Sequence, residues 1–275
     1  MGLRISTNLP SISAQRVLQV QAKRTEHATQ ALASGSRIVQ AADDAAGLAI
    51  SESLKGQIRG IGMARNNAFN AGSAIQVSEG GLNEINNILI RLRELGIQGA
   101  SDNIGDQERG YLNEEAKQLI AESDRIAKTT RFGDKILLDG SGGDMEFHVG
   151  AFAGEENVIK YSLSTNATIS ELGMDGIDVS DKGSARDALG VVDEALQKLG
   201  SMRANFGSIQ SRLNATVSNL DIQYENLSAA NSRIRDADVA RETAELASSQ
   251  VLQQAAVSVL AQANTFPGVA LKLIG

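Results

Sequence analysis

Several residue types are rare or absent in this sequence. Its 275 residues include no cysteine, no tryptophan and only two prolines, and aromatic residues make up 3%. Without cysteine the chain can form no disulfide, thiolate metal site or cysteine nucleophile. Because aromatic side chains usually anchor compact cores, their scarcity favours long helices that pack through small residues.

An excess of basic charge is also missing. The formal net charge is −7 and the sequence pI is about 5.0. Nucleic-acid binding needs a concentrated basic surface, and single strands also need stacking aromatics, so we expect no nucleic-acid partner. The N-terminal residues contain no apolar run of the length that a cleaved secretory signal needs, so we expect no such signal.

No group of residues forms a convincing catalytic or metal-binding pattern. The two histidines, His27 and His148, are far apart in sequence; we expect the first on a solvated helix face and the second on the outward side of a strand. The glycine-rich stretch 140–144 lacks the Lys-Ser/Thr of a phosphate-binding loop. Three aspartates miss the spacing of a calcium loop and are expected to form turns: Asp175, Asp178 and Asp181. The sequence therefore predicts no enzyme activity, cofactor or metal.

The segment from Leu246 to Leu271 contains no charged side chain. About 20 apolar residues can span a bilayer as a helix. Here, however, Ser, Gln, Asn and Thr recur throughout and would need partners in hydrocarbon. The apolar residues come as one pair per helical turn, which makes a stripe. We predict a helix that becomes buried among other protein helices, without membrane insertion; an ordinary core helix is the alternative.

Helical periodicity dominates both halves of the chain. The predicted helices cover about 11–34, 43–100, 108–130 and 187–235, and Asp43 and Asp44 are expected to open the second of these. Apolar residues in two of these segments recur at alternating steps of three and four, as in helices that pack on helices. This predicted seam comprises Leu82, Ile85, Leu89, Leu92, Leu196, Leu199, Phe206, Leu213, Leu220 and Leu227.

The middle of the chain has a different pattern. Glycines between about 131 and 186 punctuate short alternating runs, which predict small strands and hairpins. The predicted fold class is therefore mainly α, with long antiparallel helices in coiled-coil-like bundles and a small β-hairpin region. The predicted domains are nested: residues 1–42 plus 236–275 form a terminal helical domain, and residues 43–235 form the other, which contains the β insert.

Long motifs in both halves resemble those of bacterial flagellins. The first half contains SGSRIVQAADDAAGLAISESLKGQIRG at 34–60, ARNNAFNAGSAIQVSEGGLNEINNIL at 64–89, RLRELGIQGAS at 91–101 and ESDRIAKTTRFGDKILLDG at 122–140. The second half contains LSAANSRIRDADVARETAELASSQVLQQAAVSVLAQAN at 227–264. The resemblance covers about 3–140 and 187–275. The stretch Asn157–Lys182, where flagellins vary most, contains no diagnostic motif.

This resemblance implies a structural subunit that polymerises into the extracellular flagellar filament for swimming motility. Such chains are exported unfolded through the flagellar type III pathway without a cleaved signal. Family filaments have an inner tube made of both terminal helices and an outer tube of long helices. The short insert here implies that large outer domains are absent. Inner-tube contacts between subunits are expected at Ile12, Leu18, Leu32, Leu252, Ala256, Val259, Leu260 and Ala263.

The resemblance also implies partners besides other copies of the chain. These are an export chaperone that binds the C-terminal segment, the filament cap and the hook-junction proteins. Many flagellins are also bound by a host Toll-like receptor, and the matching candidate epitope here is Arg91, Leu95 and Glu115. The same surface makes subunit contacts within filaments, so the resemblance leaves receptor binding open.

Two other functions are compatible with parts of this pattern. A hook–filament junction protein shares the terminal motifs and is also structural. A coiled-coil export adaptor or chaperone belongs to a different class, but it would not need motifs at both extreme termini. Growth of long tubes from purified protein on filament seeds would distinguish a filament subunit from both.

Overall fold

Long helices account for most of the chain. The computed structural model describes residues 7–162 and 165–272, so the outermost residues of the predicted terminal domain lie outside the described residues. The helices are α1 (Leu9–Ser34), α2 (Ala45–Gly99), α3 (Asp106–Thr129), α4 (Ile169–Leu172), α5 (Lys182–Arg235) and α6 (Val239–Lys272). The strands are β1 (Arg131–Phe132), β2 (Lys135–Ile136), β3 (Asp144–His148) and β4 (Val158–Ser162). The predicted fold class is confirmed.

Capping residues decide where two of the long helices begin. Helix α2 begins just after Asp44, whose Oδ1 accepts a hydrogen bond from Gly47 N at 2.8 Å, an N-cap contact. Helix α5 begins before the predicted residue 187 because Asp181 caps it. Its Oδ2 accepts from the Ser184 hydroxyl at 2.5 Å and its Oδ1 from Gly183 N at 2.8 Å. These contacts, the Ser184 hydroxyl first, lower the pKa of Asp181.

The described residues belong to two compact units. The terminal unit comprises Met1–Gly56 and Asn226–Gly275, and the central unit comprises Gln57–Glu225. The sequence predicts domain boundaries after residue 42 and before residue 236. The compact units divide within α2, between Gly56 and Gln57, and within α5, between Glu225 and Asn226.

In the central unit, α2 and α5 run antiparallel. Arg65 of α2 pairs with Asp221 near the end of α5 at 2.9 Å, whereas Arg93 pairs with Asp193 near its beginning at 2.8 Å. These four side chains are about half exposed, so they report the direction of the helices more than they stabilise the packing.

Arg109 holds the turn between α2 and α3. Its side chain is only 8% exposed. Nε donates to Gly99 O at 2.9 Å and Nη2 donates to Ser101 O at 2.9 Å, while Nη1 contacts Asp106 Oδ1 at 2.8 Å. The guanidinium therefore satisfies the carbonyl of Gly99, the last residue of α2, and that of Ser101 in the turn that follows.

The core of the central unit contains most of the predicted seam. Its branched aliphatic side chains lie between the long helices and under the β strands. The structure buries Leu82, Ile85, Leu89, Leu92, Leu199, Phe206, Leu213 and Leu220, and it leaves Leu196 and Leu227 half-buried. Leu227 belongs to the terminal unit.

The predicted hairpin is formed by β3 and β4, which pair antiparallel. Alternate residues turn toward the helices, and Tyr161 is 1% exposed, with its ring centroid 5.6 Å from that of Phe206. Burial raises the pKa of the Tyr161 hydroxyl to about 12. His148 at the end of β3 is exposed, as the alternation predicts.

Candidate assembly surface on the terminal helices

Helices α1 and α6 of the terminal unit pack against each other in antiparallel directions. Asn8, at the start of α1, donates from Nδ2 to Ala263 O at 2.9 Å. Ser11 Oγ donates to Asn264 Oδ1 at 2.9 Å. The first turn of α1 therefore lies beside the last third of α6.

A heptad pattern of burial runs along both helices, as in a two-helix coiled coil. Along each helix, the less exposed residues are separated alternately by three and by four positions. These positions, called the terminal seam below, are Ser11, Ala14, Leu18, Gln21, Thr25 and Ala28 in α1, whose last turn contains the buried Ala31 beside the half-buried Leu32, and Glu242, Leu246, Ser249, Gln253, Ala256, Leu260 and Ala263 in α6.

The terminal seam is rich in small and polar side chains. Ala28 is 1% exposed, Ser249 1% and Ala263 3%, whereas the central unit buries leucine and isoleucine at equivalent depth. Because hydrophobic stabilisation grows with the apolar area buried, small residues contribute less per position. Gln21 is 9% exposed, and its Oε1 has no hydrogen-bond partner among the described residues. The helix pair is therefore weakly stabilised on its own.

Large apolar side chains remain on the outside of this helix pair. They are Leu9, Ile12, Val17 and Val20 of α1, and Val239, Val251, Leu252, Val257 and Val259 of α6, each between 44% and 65% exposed. No charged residue interrupts α6 between Leu246 and Leu271. An apolar surface of this extent marks a site of protein interaction.

The eight residues predicted to make inner-tube contacts fall into two groups. Ala256 and Ala263 are buried in the terminal seam, Leu18 and Leu260 are half-buried there, and Leu32 is half-buried in the last turn of α1, so these five pack within the chain. The other three, Ile12, Leu252 and Val259, are exposed at 55%, 45% and 54%. Only the second group is available in full to another molecule.

At the other end of the pair, the loops that follow α1 and precede α6 hydrogen-bond to each other. Arg37 N donates to Arg235 O at 2.7 Å, and Ala237 N donates to Gly35 O at 2.9 Å. Gly35 has φ of 68°, a conformation that favours glycine. Backbone hydrogen bonds thus join the end of α1 to the start of α6.

His27 differs from its prediction, which placed it on a solvated helix face. Its Nε2 lies 3.3 Å from Asp43 Oδ2, and its side chain is 36% exposed. The same Asp43 oxygen accepts hydrogen bonds from Gln40 N at 2.9 Å and Val39 N at 3.0 Å. The Gln40 bond, followed by those from Val39 and His27, lowers the pKa of Asp43. The pairing depends on a loop, which helical spacing could not predict.

We expect the loop around Asp43 to loosen in acid. Because its pKa is lowered in the folded chain, the carboxylate stabilises the fold above its ordinary pKa of 3.8, and this contribution is lost as the pH falls through the folded value. The protection factors of the Val39 and Gln40 amides, which are exchange rates corrected for the intrinsic pH dependence of exchange, should therefore fall below about pH 4. Asp43→Asn should remove this pH dependence; an unchanged profile in the variant would contradict the assignment.

The candidate receptor epitope is only partly a surface feature. Arg91 is about half exposed and pairs with Glu94 at 3.0 Å and Glu115 at 2.8 Å, which raises its pKa. Leu95, in contrast, is 0% exposed, so its expected place on an exposed strip is wrong. Leu95 and the following Gly96 are both buried, so the core face of α2 continues past Leu92 through these two positions.

Within residues 7–162 and 165–272, no helix carries an apolar run long enough to cross a membrane. This finding agrees with the polar residues that recur along α6.

Two family models match the chain in the two regions that form the long helices. The bacterial flagellin N-terminal helical region matches residues 5–142, and the bacterial flagellin C-terminal helical region matches residues 189–274. The matched regions include α1, α2, α3 and most of α5 and α6.

Similar proteins match over almost the whole chain. A flagellin of Halalkalibacterium halodurans is 40% identical over 273 residues, covering 98% of this chain and 99% of the relative. The flagellar filament core protein flaB2 of Brachyspira hyodysenteriae is 39% identical over 282 residues, with 98% and 99% covered. Flagellin B of Vibrio anguillarum is 32% identical over 376 positions with both chains fully covered, so it contains residues that this shorter chain lacks.

Solved structures agree with these matches. The crystal structure of Bacillus cereus flagellin superimposes with a TM-score of 0.51 and 27% identity, covering 60% of this chain and 94% of the other. A flagellar hook-associated protein from Vibrio parahaemolyticus gives a TM-score of 0.59 at 13% identity, covering 70% and 100%, which concerns the fold alone. The chain is thus a structural subunit of the flagellar filament. It belongs to the bacterial flagellin family.

Proposed function

We propose that the exposed apolar faces of α1 and α6 make the contacts between subunits in the innermost layer of the filament. The observation that carries this proposal is the set of exposed valines, leucines and isoleucines on a helix pair whose seam consists largely of small and polar side chains. Fully burying one such side chain contributes about 1.5–3 kcal/mol. Several of them buried together would stabilise α1 and α6 more than the terminal seam does.

The absence of charged side chains from the stretch Leu246–Leu271 of α6 fits the same role. A charged side chain in a buried subunit contact loses its hydration, and the cost exceeds the gain unless a partner compensates for it. The stretch from Leu246 to Leu271 avoids this cost, while its serines and glutamines can still form hydrogen bonds. The central helices, within 43–235, would form the outer tube.

The remaining parts of the proposal concern export and partners. We infer that the chain is secreted unfolded through the flagellar type III pathway. A chaperone that covers the C-terminal segment would shield the valines and leucines of α6 before export. The filament cap and hook-junction proteins would meet the same terminal helices. The role is structural and involves no catalysis. For a host Toll-like receptor, only Arg91 and Glu115 of the candidate epitope would be accessible.

We expect the ends of the isolated subunit, about 1–40 and 240–275, to be disordered until assembly, because burial of apolar surface would come mainly from neighbouring subunits. Limited proteolysis of the monomer should remove both ends and leave a resistant central fragment. The same protease should leave the ends intact in assembled filaments. Equal protection of both ends in the monomer and the filament would contradict this expectation.

A further inference from the structure

The sequence contains two Asp-Gly dipeptides, Asp139–Gly140 and Asp175–Gly176. A glycine after aspartate leaves the next backbone nitrogen open to the aspartate side-chain carbonyl carbon, because no Cβ obstructs the approach. Both glycines have positive φ, 76° and 79°. The two sites differ in the hydrogen bonds that restrain the aspartate carboxylate and in the space around the glycine.

Asp175–Gly176 lies at the tip of a tight turn. Ile177 N donates to Met174 O at 3.4 Å, which closes the turn around the dipeptide. Gly176 occupies the third position, whose N–H is not used by the closing hydrogen bond. Asp175 and Gly176 are both exposed, and no described residue donates a hydrogen bond to the Asp175 carboxylate. A Cβ built on Gly176 meets no atom within 4 Å, so the site is uncrowded.

Three kinds of contact restrain Asp139–Gly140: hydrogen bonds to the carboxylate, a β-bridge of the backbone and close packing at the glycine. The Asp139 carboxylate accepts hydrogen bonds from Ser141 N at 2.9 Å and Ser141 Oγ at 2.7 Å. Its backbone forms a β-bridge with Asn166. A Cβ on Gly140 would lie 3.0 Å from the Asn166 side chain. Movement of the carboxyl group toward Gly140 N would break these contacts.

We propose that Asp175–Gly176 is a site of spontaneous isoaspartate formation in this protein. Gly176 N forms a bond to Asp175 Cγ, and the Cγ–O bond breaks as one water leaves, which closes a succinimide ring. Water then adds to either ring carbonyl. Addition at the former backbone carbonyl places Gly176 on the side-chain carbon, so that the backbone runs through Cβ. One water is lost and one is regained, and no oxidant or reductant takes part.

The converted backbone is longer by one methylene group between two buried anchors. Met174 is 0% exposed and Val179 is 1% exposed. Val179 N also donates to Asn113 Oδ1 of α3 at 3.2 Å. The additional length has to be accommodated in the residues between them, just ahead of α5. Aged protein should therefore be cleaved more readily around 173–181 than fresh protein.

The test is to age the purified full chain at neutral pH and physiological temperature. Isoaspartate is then measured by enzymatic methylation with labelled S-adenosylmethionine, followed by peptide mapping. We expect the peptide with Asp175 to carry several-fold more label than the peptide with Asp139. Asp175→Glu should abolish its label, because the ring would need six members, whereas Asp139→Glu should leave the Asp175 label unchanged. Equal label at both sites, more at Asp139, or none at Asp175 would overturn the proposal.

Discussion

Replacing Leu260 by Asp should give a chain whose central unit unfolds normally but which does not elongate filament seeds. Leu260 is half-buried in the terminal seam, between Ala256 at 7% and Ala263 at 3% exposed. An unpaired carboxylate at this depth costs several kcal/mol even after relaxation. The cost recurs in every subunit of the polymer. Thermal unfolding of the monomer and light scattering during seeded growth would measure the two effects separately.

A matched control is available on the same helix. Thr243 is exposed and precedes the charge-free stretch, so Thr243→Asp introduces the same charge outside both the terminal seam and that stretch. We expect this variant to retain more elongation than Leu260→Asp. His27 is unsuitable as a control because a carboxylate there would face Asp43. Normal filaments from Leu260→Asp would refute the buried-helix interpretation of α6.

Replacing Val259 by Asp should also abolish elongation, for a different reason. Val259 is 54% exposed, so a carboxylate there remains hydrated in the single chain. It loses its hydration only when a neighbouring subunit covers it, which costs several kcal/mol at each contact. The terminal seam and the central unit should therefore be unaffected by the substitution. Thermal unfolding of the monomer, which reports the central unit, and seeded growth would separate a folding defect from an assembly defect.

Val259→Thr keeps the branched shape and adds no charge, so it should elongate seeds at a reduced rate. If Val259→Asp assembled as well as Val259→Thr, the outer face of α6 would not be a subunit contact. The Leu260 variant tests packing within one chain, and the Val259 variants test packing between chains at the adjacent position.

The regular parts of the fold could be predicted because they repeat. The aliphatic residues from Leu82 to Leu92 recur at helical spacing, and alternation predicts β3. The irregular parts are too short to show a period. Helix α4 has four residues and begins where Asn166 Oδ1 accepts a hydrogen bond from Thr168 N. The strands β1 and β2 have two residues each.

The sequence predicts which segment carries the candidate site, but it does not predict which side of α6 faces α1 and which side is exposed. Apolar residues occur on more than one side of α6, so Leu252 and Leu260 were placed in one group although only Leu260 lies in the terminal seam. The seam itself consists largely of Ala, Ser and Gln, which an apolar pattern does not identify. A heptad extended from Leu18 would have reached Gln21 and Ala28, and that spacing was the available signal.

The central claim is that the outer face of α6 becomes covered when subunits assemble. Because the chain contains no cysteine, a Val259→Cys variant carries a single thiol, whose reaction with a maleimide reports exposure at that position. Ser141→Cys, at an exposed loop of the central unit, serves as the control. We expect Val259→Cys to react readily in the monomer and much more slowly in the filament, with Ser141→Cys reactive in both. Equal reactivity of Val259→Cys in monomer and filament would contradict the account.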